Sequence, residues 1–227
     1  MSNNYGPNIG PITASTVSYD AINIKSYPGS GTSIYDLCKK QNTVLTGSAS
    51  YTTFASQPCF NSSVEGYHTT PGSNLILISN NYTYSSWCNI KASAGTWRTL
   101  FRTNPDQHPI LVQTDNTIGF YDNTGATGYN IFTGASASAY IGTWALWTVV
   151  GSGLTVTLYI NGVQAGSSVT VAAQNRTAAG NYHGAWGGAA GSQSFGYIAT
   201  MELIPDQALT ASQVLTKFNA LRGRYGV

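Results

Sequence analysis

The chain has 227 residues, of which only 8% are charged, against roughly 25% in an ordinary soluble domain. Ten basic and eight acidic residues give a net charge of +2, which excludes an electrostatic footprint for nucleic acid and an acid-rich, solvating surface. Hydrophobic residues at 42% exclude disorder through lack of apolar content, and no apolar run approaches the roughly 20 residues that cross a bilayer as a helix. Ser, Thr and Asn supply 69 residues, so small neutral polar groups must cover most of the surface.

The first 16 residues include Asn3, Asn4, Gly6, Pro7, Gly10 and Pro11, a density that opposes both helix and ladder. They read as an extended arm, residues 1–16, ahead of a single domain spanning 17–227. Met1 to Thr16 has neither a basic cluster nor an apolar stretch, so no secretory leader is expected.

From Val17 to about Pro205, short segments rich in Val, Ile, Tyr, Thr and Trp alternate with Gly, Asn and Ser. That spacing predicts a sandwich or barrel of antiparallel strands. Tyr82 to Ile90 places Tyr84, Cys88 and Ile90 on one face and Trp87 on the other. Thr143 to Val150 is apolar on both faces: Trp144, Leu146 and Val150 stand opposite Ala145, Trp147 and Val149, as in a central strand covered twice. Leu154 to Ala165 is the clearest hairpin, because Leu154, Val156, Leu158 and Ile160 alternate with Thr155, Thr157 and Tyr159. Asn161-Gly162 supplies the two positive φ values of a type I′ turn, which pairs Ile160 with Val163 on the buried face.

Phe195 to Ile204 alternates Tyr197, Ala199, Met201 and Leu203 up to Pro205, which cannot donate to a ladder. One helix, 210–222, opens on a capping box of Thr210 and Gln213. It aligns Val214, Leu215, Phe218 and Leu221 on one stripe and stops at Gly223.

Cys38, Cys59 and Cys88 are odd in number and widely spaced, so they read as buried, reduced thiols of a chain folded in a reducing cytoplasm. The triplets at Asn61, Asn81 and Asn175 then have no bearing on glycosylation. His68, His108 and His183 are scattered, without acid or Cys at ligand spacing, and read as loop or surface residues rather than zinc ligands.

Three groups of residues together resemble a known family. The first is Asp20-Ala21 with Ser26-Tyr27-Pro28-Gly29-Ser30-Gly31-Thr32 and Asp36-Leu37. The second is Trp147-Thr148-Val149 leading to Leu158-Tyr159-Ile160-Asn161-Gly162. The third runs from Ala208 to Leu215, then through Phe218-Asn219 to Arg222-Gly223-Arg224-Tyr225-Gly226. They resemble concanavalin A-like, laminin G-like jelly-roll domains of the type found in structural proteins of tailed phages and large viruses. After Leu37 that family has a Gly/Asn-rich turn, where this chain has Cys38-Lys39-Lys40. The family's acidic residue and Tyr before the final helix are also displaced or missing around Thr200 and Pro205.

The resemblance implies an all-β, two-sheet antiparallel jelly-roll sandwich with an N-terminal arm and one C-terminal helix. It implies a non-enzymatic virion structural protein, made in the host cytoplasm and acting through assembly at the capsid surface, a vertex, a fibre or the tail. Its partners would be other virion proteins and copies of itself, with no nucleic acid and no membrane. The arm residues Tyr5, Pro7, Ile9, Pro11 and Ile12 would then lie along a neighbouring subunit, or else the terminus simply frays. The alternative function is a glycan-binding module that attaches to host surfaces. For that, Asn181, Tyr182, His183 and Trp186 in the glycine-rich stretch 180–191 would stack on and hydrogen-bond a sugar, unless they form a strand and turn.

Asp115, Asp122 and Asn123 read first as turn formers and second as oxygen ligands of a Ca²⁺ ion. No other cofactor is expected. A glycosidase needs two carboxylates roughly 5 to 9 Å apart around one bond. None of the eight acids stands at i, i+2 from another, which argues against catalysis.

Overall fold

The computed structural model describes residues 16–62, 67–69, 77–104, 107–122, 128–172, 176–185 and 194–227. Tyr5, Pro7, Ile9, Pro11 and Ile12 of the expected arm lie outside them. In chain order the strands begin with β1 (Val17–Asp20), β2 (Ser33–Ile34), β3 (Thr43–Leu45), β4 (Ser50–Phe54), β5 (Gln57–Asn61), β6 (Tyr67–Thr69) and β7 (Leu77–Ile78). They continue with β8 (Tyr82–Ile90), β9 (Arg98–Asn104), β10 (Gln107–Val112), β11 (Thr117–Asp122), β12 (Gly128–Ser136) and β13 (Trp144–Ser152). The last are β14 (Thr155–Ile160), β15 (Val163–Gln164), β16 (Val169–Thr170), β17 (Arg176–His183), β18 (Gly196–Ile198) and β19 (Thr200–Ile204), followed by helix α1 (Ala211–Tyr225).

The first sheet runs β15–β14–β13–β8–β18–β5–β4, with β19 and then β1 also reached from β8. The second runs β12–β11–β10–β9–β17–β6–β3–β2. One core takes side chains from both: Tyr84, Trp147 and Leu158 from the first sheet, Phe101, Ile110 and Phe120 from the second. The result is the two-sheet antiparallel sandwich with one C-terminal helix that the residue pattern predicts.

Strand β13 shows why periodicity works here. Ala145, Trp147 and Val149 enter the sandwich core, while Trp144 and Leu146 join Trp87 beneath α1, with Phe218 and Tyr225. Both faces are covered, so both are apolar.

Three expectations need correction. Val163 does pair with Ile160 across an Asn161-Gly162 turn, but it is exposed, because β15 is a two-residue strand at the edge of the first sheet. The alternation from Tyr197 to Leu203 breaks: Ile198 faces Cys88 and Glu202 faces Ser85, four residues on one strand against three on the other. This bulge puts Ala199 on the helix side and Met201 and Leu203 in the sandwich core.

Helix α1 opens on the expected capping box, with Gln213 N donating to Thr210 Oγ1 at 3.3 Å and Thr210 N to Gln213 Oε1 at 2.8 Å. It runs through Gly223 and ends at Gly226, whose φ of +71° suits a left-handed cap. Its buried stripe is Val214, Lys217, Phe218 and Tyr225, with Leu215 exposed.

Cys59 and Cys88 are buried, while Cys38 is half-buried in the loop after β2. Burial pushes the thiols up, Cys38 to about 11, Cys59 to about 12 and Cys88 well above its ordinary value. A raised folded pKa means that the unfolded thiols ionise first, so stability is complete below about pH 8.5 and is lost as pH rises. Denaturant unfolding at pH 8 and 10.5 should therefore give the lower unfolding free energy at 10.5.

Candidate functional site

With so few ions, the place of each one matters. Asp20 receives both guanidinium nitrogens of Arg224, each at 2.8 Å, which ties the last turn of α1 to β1. Glu202 pairs with the ammonium of the buried Lys217. The buried Asp36 carboxylate accepts four backbone N–H bonds: Ser18 at 2.8 Å, Cys38 at 2.9 Å, Lys40 at 2.7 Å and Gln41 at 3.1 Å. Asp206 is exposed, and Glu65 and Asp106 lie outside the described residues.

Asp115 is exposed in an Asx turn, where the Thr117 N–H donates to its Oδ1 at 2.9 Å and holds its carboxyl below the usual range. Asn116 beside it has φ +72° and accepts a hydrogen bond from the buried Arg98 at 2.8 Å. Asp122 is buried at the far end of β11, about 16 Å from the start of that six-residue strand at roughly 3.3 Å per residue. One Ca²⁺ ion cannot take oxygens from both, so the calcium expectation for Asp115, Asp122 and Asn123 is corrected; Asn123 lies outside the described residues. Among the described residues no group of three His, Cys, Asp or Glu could hold a metal.

Asn181, Tyr182 and His183 stand on β17, paired to β9 and β6, rather than on a loop. His183 is buried, its ring stacked on Phe101 at 5.1 Å and edge-on to Tyr19 at 6.2 Å, so it is not a surface sugar ligand. His108 is buried too, within 3.2 Å of Thr99 Oγ1. Both rings pack as aromatic members of inner strands, where a surface position was expected. Trp186 lies outside the described residues.

Two other surfaces emerge. On the second sheet Ile118 and Phe120 face the core, so Gly119 and Tyr121 face outward. There Trp97, Tyr121 and Tyr129 form a half-buried aromatic cluster, with Trp97 centred 6.0 Å from Tyr121 and 5.4 Å from Tyr129. Tyr129 lies over Gly119, where a Cβ would stand 2.6 Å from its ring, and its hydroxyl donates to the Thr117 carbonyl at 3.0 Å.

The other surface is an open groove of about 340 Å³ lined by Lys25, Tyr35, Asp36, Lys39, Lys40, Gln41 and Asn42. It forms where the chain crosses between the sheets, since β1 pairs in the first and β2 in the second. Its two loops are fastened to each other and to β1: Tyr35 N donates to the Ser26 carbonyl at 2.7 Å and Leu37 N to the Ser18 carbonyl at 2.9 Å. Tyr19 also donates its hydroxyl to the Gln41 carbonyl. The separate positions of Lys25 and Lys39-Lys40 in sequence conceal this site. The only local signal is Cys38-Lys39-Lys40 in place of a small, polar turn.

Residues 61–215 match the profile of the concanavalin A-like lectin/glucanases superfamily. A comparison with curated protein sequences finds no match. Among solved structures, the botulinum neurotoxin serotype D ligand binding domain in complex with N-acetylneuraminic acid superposes with a TM-score of 0.65, at 12% identity over 91% of this chain and 51% of that one. The binding domain of Paraclostridial mosquitocidal protein 1 gives 0.64, at 18% identity over 91% and 52%. Trypanosoma rangeli sialidase gives 0.63, at 13% identity over 94% and 34%. The chain thus spans about a third of the sialidase and about half of the toxin domains, and the likeness is one of fold.

Proposed function

The chain belongs to the concanavalin A-like lectin/glucanases superfamily, and from that premise we propose that it is a non-enzymatic structural protein of a virion, displayed at the particle surface and presenting a lectin-like face. The observation that supports this most directly is the use made of the acids. Asp20, Asp36 and Glu202 are taken up by Arg224, by four backbone N–H groups and by Lys217. Asp115 lies in the turn before β11 and Asp122 at the far end of that strand. Among the described residues, carboxylates so engaged or separated do not form the pair that glycoside hydrolysis requires.

The virion setting is supported by the viral-type closing segment, Arg222 to Gly226, and by the neutral surface, which meets other subunits without desolvating ions. Partners would be other capsid or tail subunits and further copies of this chain. Purified particles should contain the protein by mass spectrometry, and deleting residues 2–16 should abolish its incorporation. The purified chain should release no product from fluorogenic sialosides or β-glucans. Turnover of either substrate, or absence from particles, overturns the reading.

A second reading, glycan binding at the exposed surface, is supported by the lysine-lined groove with its half-exposed Tyr35. A fold shared with a domain crystallised with N-acetylneuraminic acid supports it too. Binding of any sugar on a glycan array supports this reading, and an empty array overturns it.

A further inference from the structure

We infer that the groove formed by Lys25, Tyr35, Lys39, Lys40 and Asn42 binds anionic sugars, its ammonium groups meeting a carboxylate or sulfate while Tyr35 packs on the sugar ring. This rests on the glycan-binding reading and names the ligand class.

The charge distribution leads to it. Three of the chain's five lysines line one groove, in a sequence with 8% charged residues. All three are exposed, and none has a carboxylate partner among the described residues, whereas Lys217 and Arg224 are both paired. Like charges gathered without a counter-ion repel one another, and an anionic ligand reverses that term. The one acid in the groove cannot neutralise them, because Asp36 is buried with its oxygens already filled by four N–H donors.

The frame is rigid before any ligand arrives. Asp36 fixes the backbone N–H of Lys40, the Asp36 carbonyl accepts from Lys39 N at 3.0 Å, and Asn42 Oδ1 accepts from Asp36 N at 3.1 Å. Affinity is therefore not lost to ordering the loop. Lys39 itself has φ +59°, in the left-handed region where Gly or Asn would cost least. A long cation at a position that suits glycine points to a role for its charge. The groove also lies outside residues 61–215, so the features that define the superfamily do not account for it.

The ligand class follows from size and charge. A volume of about 340 Å³ is at the small end of the roughly 300–1,000 Å³ of ligand sites, enough for a sugar unit and too little for a folded partner. Lysines act as compact point charges without the planar fork of arginine, so they select for negative charge more than for one anion geometry.

Calorimetric titration of the full chain with 3′-sialyllactose, a sulfated heparin-derived disaccharide and neutral lactose tests this. At least one anionic sugar should bind roughly tenfold or more tighter than lactose and weaken as salt rises from ~50 to ~500 mM. The two anionic arms separate carboxylate from sulfate. The triple variant Lys25→Gln, Lys39→Gln, Lys40→Gln should lose affinity by about 100-fold. Lys39→Gly alone should weaken binding severalfold without lowering the unfolding temperature. Arg222→Gln, which removes an exposed charge on α1, should change nothing. Equal binding by the triple variant, or lactose binding as well as the anionic sugars, overturns the groove assignment and leaves glycan binding intact. No binding by any sugar overturns both.

Discussion

Replacing Asp36 by alanine is expected to destabilise the fold by about 3–5 kcal/mol, the range for removing one partner from a buried charged network. Four backbone donors, on Ser18, Cys38, Lys40 and Gln41, converge on this one carboxylate and would be left to compete for poorly placed water. Each buried donor left unmade costs about 1–3 kcal/mol, less where solvent can reach it. Asp36→Asn keeps one oxygen and turns an amide toward N–H groups, so it should cost less than alanine but more than an ordinary surface change. Chemical denaturation reads both values. A loss below about 1 kcal/mol for Asp36→Ala would show that the loop stands without its central acceptor. Removing a negative charge should, by Coulomb's law alone, tighten anion binding in the groove. Asp36→Asn is instead expected to weaken it, since the same carboxylate holds the backbone beside Lys39 and Lys40.

The second large effect lies at the other end of the chain. Tyr225 stacks on Trp87 with centroids 4.1 Å apart and packs against Trp144 at 5.5 Å. Tyr225→Ala should cost about 3–5 kcal/mol, as other large aromatic truncations do, and should loosen α1 from the first sheet. The phenol is buried, and its hydroxyl has no hydrogen-bond partner among the described residues. Tyr225→Phe should therefore be neutral, or stabilising by up to about 1 kcal/mol. A strongly destabilised Tyr225→Phe would reveal a partner for that hydroxyl and contradict this packing.

Both residues belong to segments that bear the family resemblance in the sequence, Asp36-Leu37 and Arg224-Tyr225-Gly226. The structure gives these motifs a mechanical meaning. Asp36 organises a loop, Arg224 clamps α1 to Asp20 in β1, and Tyr225 seals the outer face of β8 and β13. None of the three is exposed. A functional role for the closing segment therefore acts through the fold that it completes.

The aromatic face of the second sheet and the lysine groove were legible to different degrees. Period-two reading of Ile118, Gly119, Phe120 and Tyr121 suffices to turn Tyr121 outward, because alternation is a local property of a strand. Trp97, just before β9, and Tyr129, on β12, reach the same face from elsewhere in the chain, and no local rule pairs them. His183 shows the opposite error: a polar ring in a glycine-rich stretch suggests a loop, yet β17 runs between strands that bury it against Phe101.

Sequence alone determined the class of fold and its strongest local elements. Asn161-Gly162 demands positive φ at both positions, Thr210 with Gln213 satisfies the first free N–H groups of α1, and two-sided apolar periodicity marks β13 as covered twice. Each of these is decided within about ten residues, by steric and hydrogen-bonding rules that need no partner from afar. Tertiary structure alone decided the rest. It slipped the strand at Ala199 by one residue against β8, extended α1 to meet Asp20, and brought Lys25 beside Lys39 and Lys40. Charge that is sparse along the chain becomes dense in one groove only when two loops at the edge of the sandwich are hydrogen-bonded together.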